Sequence, residues 1–249
     1  MSRIFIDVGG YHGESSLAAL DPIFGFDRIY CFEPVPSCAH IIRQRIVDKR
    51  FVLVQACLSN QCGNITIHNP GTVAASVYID APPYEGTALP EKAHTIEAST
   101  FFHTFVHSGD NVWMKLNCEG SECDVLESLL NGGVCDELRN VLVDFDAQKI
   151  PSQRHRVSAI QQRLREESLP HSYPEDVQYG MVTNYGGIRN WLLVSGARVP
   201  GLFNFVLSCL YNAGVVMKHP QVSGYHKMKL LKTFPFLAVF AKSRRGKTA

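Results

Sequence analysis

Short apolar segments alternate with amphipathic segments along the chain, and this alternation constrains the fold more than any other feature. The strand-like segments are rich in β-branched and aromatic residues, and they span residues 3–8, 28–32, 51–57, 112–117, 139–145 and 235–241. Strands that are apolar on both faces are typical of a parallel sheet covered by helices. The pattern therefore predicts an α/β fold with a doubly wound, mostly parallel sheet.

Helical periodicity fills the connections between these strands. The predicted helices span residues 14–20, 37–47 with Ser37 as N-cap, 121 to 132 or 133, and 152–168. In the third of these helices, Ser121 and Asp124 match a capping box, and Val125, Leu126, Leu129 and Leu130 form its apolar stripe. Residues 63–69 indicate a further strand, and residues 69–90, rich in Pro and Gly, a loop that could fold over a site.

Charge and hydropathy exclude several classes of protein. The net charge of +1 gives no electrostatic footprint for nucleic acid, and the basic cluster at 242–248 is interpreted as a solvated tail. The most apolar segment, 201–217, is short for a membrane span and contains two Asn and an internal Gly, which favours a buried helix or helical pair. The chain starts directly with a strand pattern, so the expected location is the cytoplasm.

The eight cysteines do not have the spacing of a metal site. The sequence contains no C-x-x-C pair, which argues against zinc, and no metal ligands are predicted. Reduced, mostly buried thiols are the simpler interpretation.

The first predicted strand ends in a glycine-rich turn, "DVGGYHGESS". Asp7, Gly9 and Gly13 give D-x-G-x-x-x-G, and Tyr11 stands where a dinucleotide-binding turn would need a glycine for close backbone approach. An acidic residue at the end of the strand suits a cofactor that carries a positive charge nearby. The alternative is a purely structural strand-to-helix connection.

The second predicted strand ends in "YCFEP", which places Glu33 at its tip. A carboxylate at this position can accept hydrogen bonds from both hydroxyl groups of a ribose, whereas the alternative is an exposed Glu before a turn. We therefore expect an adenosine-bearing ligand.

Four segments in this order resemble the motifs of the FkbM family of S-adenosylmethionine-dependent methyltransferases: "FIDVGGYHGESS", "IYCFEPVPS", "VLVQACLSNQCGNITIH" and "VWMKLNCEGSECDVLESL". The resemblance covers about residues 3–146. It implies a class I, Rossmann-like methyltransferase fold and O-methylation, commonly of sugar hydroxyls. The cofactor-binding residues that it implies are Asp7, Gly9 and Gly13 at the methionine part, Glu33 at the ribose, Leu58 and Ser59 near the adenine, and also Gly10, Tyr11, Pro34 and Asn117.

The chain departs from the family pattern at two places. Family members often have Asp where this chain has Asn117, and an amide can neither act as a carboxylate base nor bind a metal strongly. At the fifth strand, a Glu-x-His pattern is common in the family, whereas this chain has Asp144 and Asp146 in "LVDFDAQ". A carboxylate function is therefore retained there, but not an imidazole.

The resemblance and the strand pattern together predict roles for the remaining polar residues. Asp144 and Asp146 are the predicted catalytic pair, because residues two apart on a strand face the same side. Glu119 is predicted to contact the substrate, and His12 and His103 are further candidates. The acceptor is expected to be a small molecule or carbohydrate.

The expected organisation is one methyltransferase domain over residues 1–249. Residues 1–150 would form the cofactor-binding core, and residues 151–249 the rest of the sheet with a helical or irregular elaboration that covers the substrate. Two other functions remain open: a methyltransferase-like binding protein without turnover, and an NAD-dependent oxidoreductase, against which the missing G-x-G-x-x-G argues.

Overall fold

The computed structural model describes residues 1–82, 88–177 and 183–218. Its strands are β1 (Arg3–Val8), β2 (Arg28–Phe32), β3 (Phe51–Val54), β4 (Cys57–Ser59), β5 (Gly63–Ile67), β6 (Glu91–Glu97), β7 (Asn111–Leu116), β8 (Leu138–Val143) and β9 (His171–Ser172). Its α-helices are α1 (Glu14–Ala19), α2 (Pro36–Arg45), α3 (Ala98–Phe105), α4 (Glu122–Gly132), α5 (Arg154–Glu166), α6 (Pro174–Val177), α7 (Asn184–Val194) and α8 (Leu202–Lys218), and a 3₁₀ helix spans Asp146–Lys149.

The main sheet has six strands in the order β3-β2-β1-β7-β8-β9, and every neighbouring pair is parallel. The chain moves outward in one direction from β1 to β3 and in the other from β7 to β9. The order therefore reverses between β1 and β7, which is the switch point of a doubly wound, Rossmann-like sheet. The predicted α/β class with a mostly parallel sheet is confirmed.

Apolar side chains on both faces of the strands explain why the sheet is covered by helices. On β1, Ile4, Ile6 and Val8 belong to one buried cluster with the predicted apolar stripe of α4. Burial of that stripe accounts for the packing of α4 on the sheet.

The segment predicted as one strand over residues 51–57 is two strands in different sheets. Glu33 donates its backbone N–H to the Val54 carbonyl, and Ala56 donates to the same oxygen, which closes a tight turn after β3. The chain then enters a three-stranded sheet, β4-β6-β5, in which the predicted strand at 63–69 appears as β5. Neither β6 nor α3 was predicted from the sequence.

One predicted helix cap is misplaced, and a second is correct in position but lacks the predicted side-chain hydrogen bond. Helix α2 begins at Pro36 with Val35 as the N-cap, so Ser37 lies inside the first turn. Ser121 is the N-cap of α4, but its side chain makes no capping hydrogen bond. The Glu122 side chain instead holds the turn before α4, because its Oε1 accepts hydrogen bonds from the backbone N–H groups of Cys118 and Gly120.

The backbone contacts divide the chain into two compact units. Among the described residues, the first comprises those within 1–20 and 26–197, and the second those within 21–25 and 198–218. In the second unit, Ser208 and Asn212 of α8 donate hydrogen bonds to Oδ2 of Asp21, at 2.9 and 2.7 Å. Helix α8 matches the helical interpretation of residues 201–217, whereas the predicted strand 235–241 and the basic tail 242–248 lie outside the described residues.

No helix within the described ranges is both long and apolar enough to cross a membrane.

Candidate functional site

The polar residues singled out in the sequence meet at one edge of the main sheet. The carboxyl ends of β1, β2, β7 and β8 are adjacent there, because the four strands are neighbours and parallel. Ligands of open α/β sheets bind at this edge, at the switch point. In this chain the switch point lies between the glycine-rich loop after β1 and the turn after β7.

Close backbone packing explains the glycines of the loop after β1. Gly9 and Gly10 both donate backbone hydrogen bonds to the Phe32 carbonyl at the end of β2, at 3.1 and 3.0 Å. Gly9 has φ +81°, and a Cβ there would lie 1.8 Å from the Asn117 carbonyl oxygen. A Cβ on Gly10 would lie 2.3 Å from Sγ of Cys31. Both positions therefore require glycine for the loop to fit between β2 and β7.

The rest of the loop leads into α1. Gly13 is the N-cap of α1 with φ +81°, a conformation that glycine adopts without strain. Tyr11 has φ +47°, which is unusual for a residue with a side chain, and its ring stacks on His12 with 3.8 Å between the ring centroids. Burial and the nearby Arg45 lower the pKa of His12.

Glu33 is tied to this loop through its carboxylate. Tyr11 donates its backbone N–H to Oε2 at 2.7 Å, and Val35 donates to Oε1 at 2.9 Å. Burial raises the pKa of Glu33 to about 7, although the two N–H donors lower it in part. Each carboxylate oxygen has a second lone pair, so both oxygens can accept one more hydrogen bond.

Asp7 is fully buried and faces a protein cation. It lies opposite Lys115 in the β1–β7 register, and the Lys115 Nζ is 3.3 Å from its Oδ1. Ser16 donates to Oδ2 at 2.8 Å. The positive charge that we expected to come from a cofactor is thus supplied by Lys115, a residue to which the sequence reasoning gave no role. The signal available in the sequence was a lysine between apolar residues in a strand that is predicted to be buried.

The turn after β7 carries Asn117 and Glu119. The Asn117 side-chain amide donates to Oδ2 of Asp144 at 3.4 Å, which joins the ends of β7 and β8. Glu119 has φ +52°, and its carbonyl accepts a 2.6 Å hydrogen bond from the Ser76 hydroxyl. Residues in this strained region of backbone space are concentrated at functional sites.

Carboxyl groups crowd this side of the edge. Burial, followed by the charges of Asp146 and Glu122, raises the pKa of Glu119 to about 8, and Glu119 is hydrogen bonded to Asp146. Burial and then Asp146 also raise the pKa of Asp144. Asp146 is buried and ion-paired with Lys149, whereas Glu119 and Asp144 remain partly exposed.

Glu122 has a structural role beside this cluster. Its Oε2 accepts the backbone N–H of Ala147, in addition to the two hydrogen bonds at its Oε1, and its side chain is fully buried. It therefore links the start of α4 to the 3₁₀ helix. Burial raises the pKa of Glu122 to about 7.

The strand argument for Asp144 and Asp146 is wrong in its geometry. Strand β8 ends at Val143, and Asp146 begins the 3₁₀ helix, so the alternation of an extended strand does not apply to them. The turn nevertheless keeps the two carboxyl groups close enough for Asp146 to raise the pKa of Asp144.

The other predicted site residues differ in accessibility. Leu58 and Ser59 are buried at the end of β4, and Leu58 belongs to the same hydrophobic cluster as Phe32. Pro34 is half-buried after β2, and His103 is exposed on α3. Roles for these residues remain predictions.

A segment after β5 is anchored beside the Glu119 turn. The Tyr78 hydroxyl donates to Oδ2 of Asp124 at 2.5 Å, and Asp124 pairs with Arg156 of α5 at 2.8 Å. Asp80 accepts hydrogen bonds from the backbone and hydroxyl of Ser152. Residues 69–82, within the predicted loop at 69–90, thus pack against the β7–α4 turn. Burial raises the pKa of Tyr78.

Among the residues described, no group of three or more His, Cys, Asp or Glu side chains is arranged to hold a metal ion. No family model, curated protein or solved structure matched the chain.

Proposed function

We propose that the protein is an S-adenosylmethionine-dependent O-methyltransferase that acts on a hydroxyl group of a sugar, glycan or related small molecule. One observation carries the proposal: the Glu33 carboxylate at the end of β2, bonded to the glycine-rich loop after β1, lies along the same sheet edge as Glu119 and Asp144 after β7 and β8, two carboxyl groups whose pKa values burial raises. A nucleoside-binding group and a proton-accepting group are the two requirements of this reaction.

The residues at the β1–β2 side fit the nucleoside part of the cofactor. Glu33 keeps one free lone pair on each oxygen after accepting hydrogen bonds from Tyr11 and Val35, and a ribose diol needs two acceptors. Asp7 does not fit the direct contact that we expected, since it is fully buried and paired with Lys115. Its contribution to binding is then to hold the loop in place.

The bound cofactor would supply an activated methyl group. The chain must orient the acceptor hydroxyl, exclude water and take up the hydroxyl proton. Asp144 suits the uptake of the proton, because it is partly exposed and burial raises its pKa toward the working range of a base. Glu119, whose pKa is about 8, is mainly protonated at neutral pH and suits the donation of a hydrogen bond to the acceptor.

The test is incubation with methyl-labelled S-adenosylmethionine and a panel of glycans, nucleotide sugars and small alcohols. We expect label in a carbohydrate or alcohol product with the native chain, and a large loss of label with Glu33→Ala and with Asp144→Asn. Equal rates in the native chain and both variants would remove these site assignments. Cofactor binding without transfer to any acceptor would favour a binding protein instead.

The strand order gives one observation in favour of a second function. The order β3-β2-β1-β7-β8-β9, with an acidic residue at the end of β2, is also that of NAD-binding domains. The loop argues against this function, because Tyr11 carries a side chain where close approach to a pyrophosphate needs glycine. Binding of NAD in preference to S-adenosylmethionine would establish the oxidoreductase.

A further inference from the structure

The Lys115 side chain lies beneath the glycine-rich loop, and its surroundings are unusual for a lysine. Its Nζ donates to the carbonyl oxygens of Gly9 and Val8, at 2.6 and 3.2 Å, and lies 3.3 Å from Oδ1 of Asp7. Lys115 is 8% exposed. A buried ammonium group is costly unless it is paired and hydrogen bonded, and these three oxygens meet that requirement.

These contacts connect two adjacent strands to the loop between β1 and α1. Asp7 is the register partner of Lys115 on β7 and of Cys31 on β2, so the three side chains lie in one row across the sheet. The Gly9 carbonyl that Lys115 holds is two residues before the Tyr11 amide that donates to Glu33. The position of the ammonium group therefore determines where the loop presents that amide.

The ion pair also acts on Glu33 through charge, and its two members act with opposite sign. Lys115 favours the ionised carboxylate, whereas Asp7 disfavours it. The other titratable groups that interact with Glu33 are thiols on β2, α2 and β4, which burial keeps protonated: Cys31, Cys38 and Cys57. Of these named neighbours, Lys115 and Asp7 are the ones that carry a charge.

We infer that Lys115 is a positioning residue: its buried ammonium group, bonded to the Val8 and Gly9 carbonyls, fixes the loop after β1 and thereby the Glu33 carboxylate that is proposed to accept two hydroxyl groups. The part concerning hydroxyl groups rests on the proposed function. The coupling between Lys115 and Glu33 does not, and it can be measured in the protein without ligand.

The test is a pH titration of Glu33 by ¹³C NMR on the chain labelled at its Glu carboxyl carbons, with the resonance assigned through Glu33→Gln. For the native chain we expect a pKa of about 7. Lys115→Met should shift the pKa upward by about half a pH unit or more, and Asp7→Asn should shift it downward by a similar amount. Loss of stability alone does not produce shifts of opposite sign.

Lys115→Met leaves a buried carboxylate without its cation and could fail to fold. In that case the Glu33 pKa of Asp7→Asn tests the inference by itself, since this variant retains Lys115 and its two carbonyl contacts. Lys115→Arg keeps the charge and should retain a pKa within a few tenths of the native value. An unchanged pKa in both Lys115→Met and Asp7→Asn, shifts of the same sign, or an unchanged or raised pKa in Asp7→Asn alone would overturn the inference.

A second measurement separates this inference from the proposed function. Calorimetric titration with S-adenosylhomocysteine between pH 6 and pH 8 should show affinities that follow the Glu33 pKa of each variant. Opposite NMR shifts with no binding of this probe at any pH would support the coupling and overturn the proposed function. Binding of S-adenosylhomocysteine without any shift of the Glu33 pKa in the variants would support the proposed function and overturn the coupling.

Discussion

The two sides of the switch point satisfy their carboxyl groups in different ways. On the β1–β2 side, Glu33 accepts two backbone N–H groups and Asp7 pairs with Lys115. On the β7–β8 side, Glu119, Asp144 and Asp146 lie close enough for Asp146 to raise the pKa of each of the other two. The first arrangement holds a fixed shape, as binding requires. The second raises the pKa of Glu119 and of Asp144, as the proposed acid–base role requires.

The difference predicts that variants on the two sides change different kinetic constants. A β7–β8 variant should lower kcat and leave cofactor affinity unchanged, whereas a β1–β2 variant should weaken cofactor binding. Equal effects on both constants from both sides would remove the distinction.

Asp144→Asn should have the largest effect. Loss of a positioned base costs about 10²- to 10⁴-fold in rate, so kcat should fall within that range while the Kd for S-adenosylmethionine stays constant. Initial-rate kinetics and calorimetry measure the two quantities. Asp136→Asn, at an exposed position, is the matched control and should leave both unchanged. A full rate in Asp144→Asn would exclude this residue as the base.

Glu33→Gln should weaken binding of S-adenosylmethionine about 100-fold, since charge-assisted hydrogen bonds to the ribose are lost and about 1.4 kcal/mol corresponds to each factor of ten. Glu91→Gln, exposed at the start of β6, is the control. Affinity within a factor of three of the native value would show that Glu33 does not hold the ligand.

Gly9→Ala should destabilise the fold through contact as well as backbone strain. A Cβ on Gly9 would clash with the Asn117 carbonyl oxygen. Gly196 is the matched comparison, because its φ of +80° equals the +81° of Gly9 within a degree, but a Cβ there would have nothing within 4 Å. Gly196→Ala should lower the free energy of unfolding by about 1 to 2 kcal/mol, and Gly9→Ala by about 2 kcal/mol more. Urea unfolding compares them, and equal losses would mean that the loop is not pressed against β7.

Cofactor affinity should rise with pH around neutrality. In the proposed function the ribose hydroxyls bind to the ionised carboxylate, and the Glu33 pKa of about 7 leaves most molecules protonated at pH 6 and most ionised at pH 8. Affinity should therefore increase about tenfold between these values. Glu33→Gln should abolish this dependence, and a pH dependence of the same size in that variant would assign it to another group.

Asn117→Asp should have the smallest effect. It replaces the amide that donates to Asp144 by a like charge, which raises the pKa of Asp144. The acidic limb of the kcat–pH profile should move upward by about one pH unit. An unmoved limb would indicate that Asp144 is not the group that titrates.

Much of the sheet was predictable because its strands are continuous apolar runs, and parallel strands between helices require that pattern. The break between β3 and β4 was not, because it depends on the Glu33 N–H reaching the Val54 carbonyl, a contact 21 residues away in the chain. Likewise the capping box predicted a hydrogen bond to the Ser121 side chain, which the structure lacks, and the sequence did not indicate that the Glu122 carboxylate accepts a hydrogen bond from Ala147, 25 residues away.

The candidate site shows the same division. Glu33 and the glycines were found from their positions after strands, where topology brings them together. Lys115 was missed because its role depends on register pairing with Asp7, which a single sequence does not display. Asp144 and Asp146 were predicted as a pair, and Glu119 separately as a substrate contact. The geometry of the pair was not predicted, because the 3₁₀ helix after β8 replaces the extended strand that the sequence suggested.

The most direct test of the central claim is calorimetric titration of the native chain and Glu33→Gln with S-adenosylmethionine and, separately, with NAD at pH 8. We expect S-adenosylmethionine to bind the native chain with a stoichiometry of about one and to bind Glu33→Gln about 100-fold more weakly, and we expect no binding of NAD. Binding of NAD without binding of S-adenosylmethionine would contradict the account.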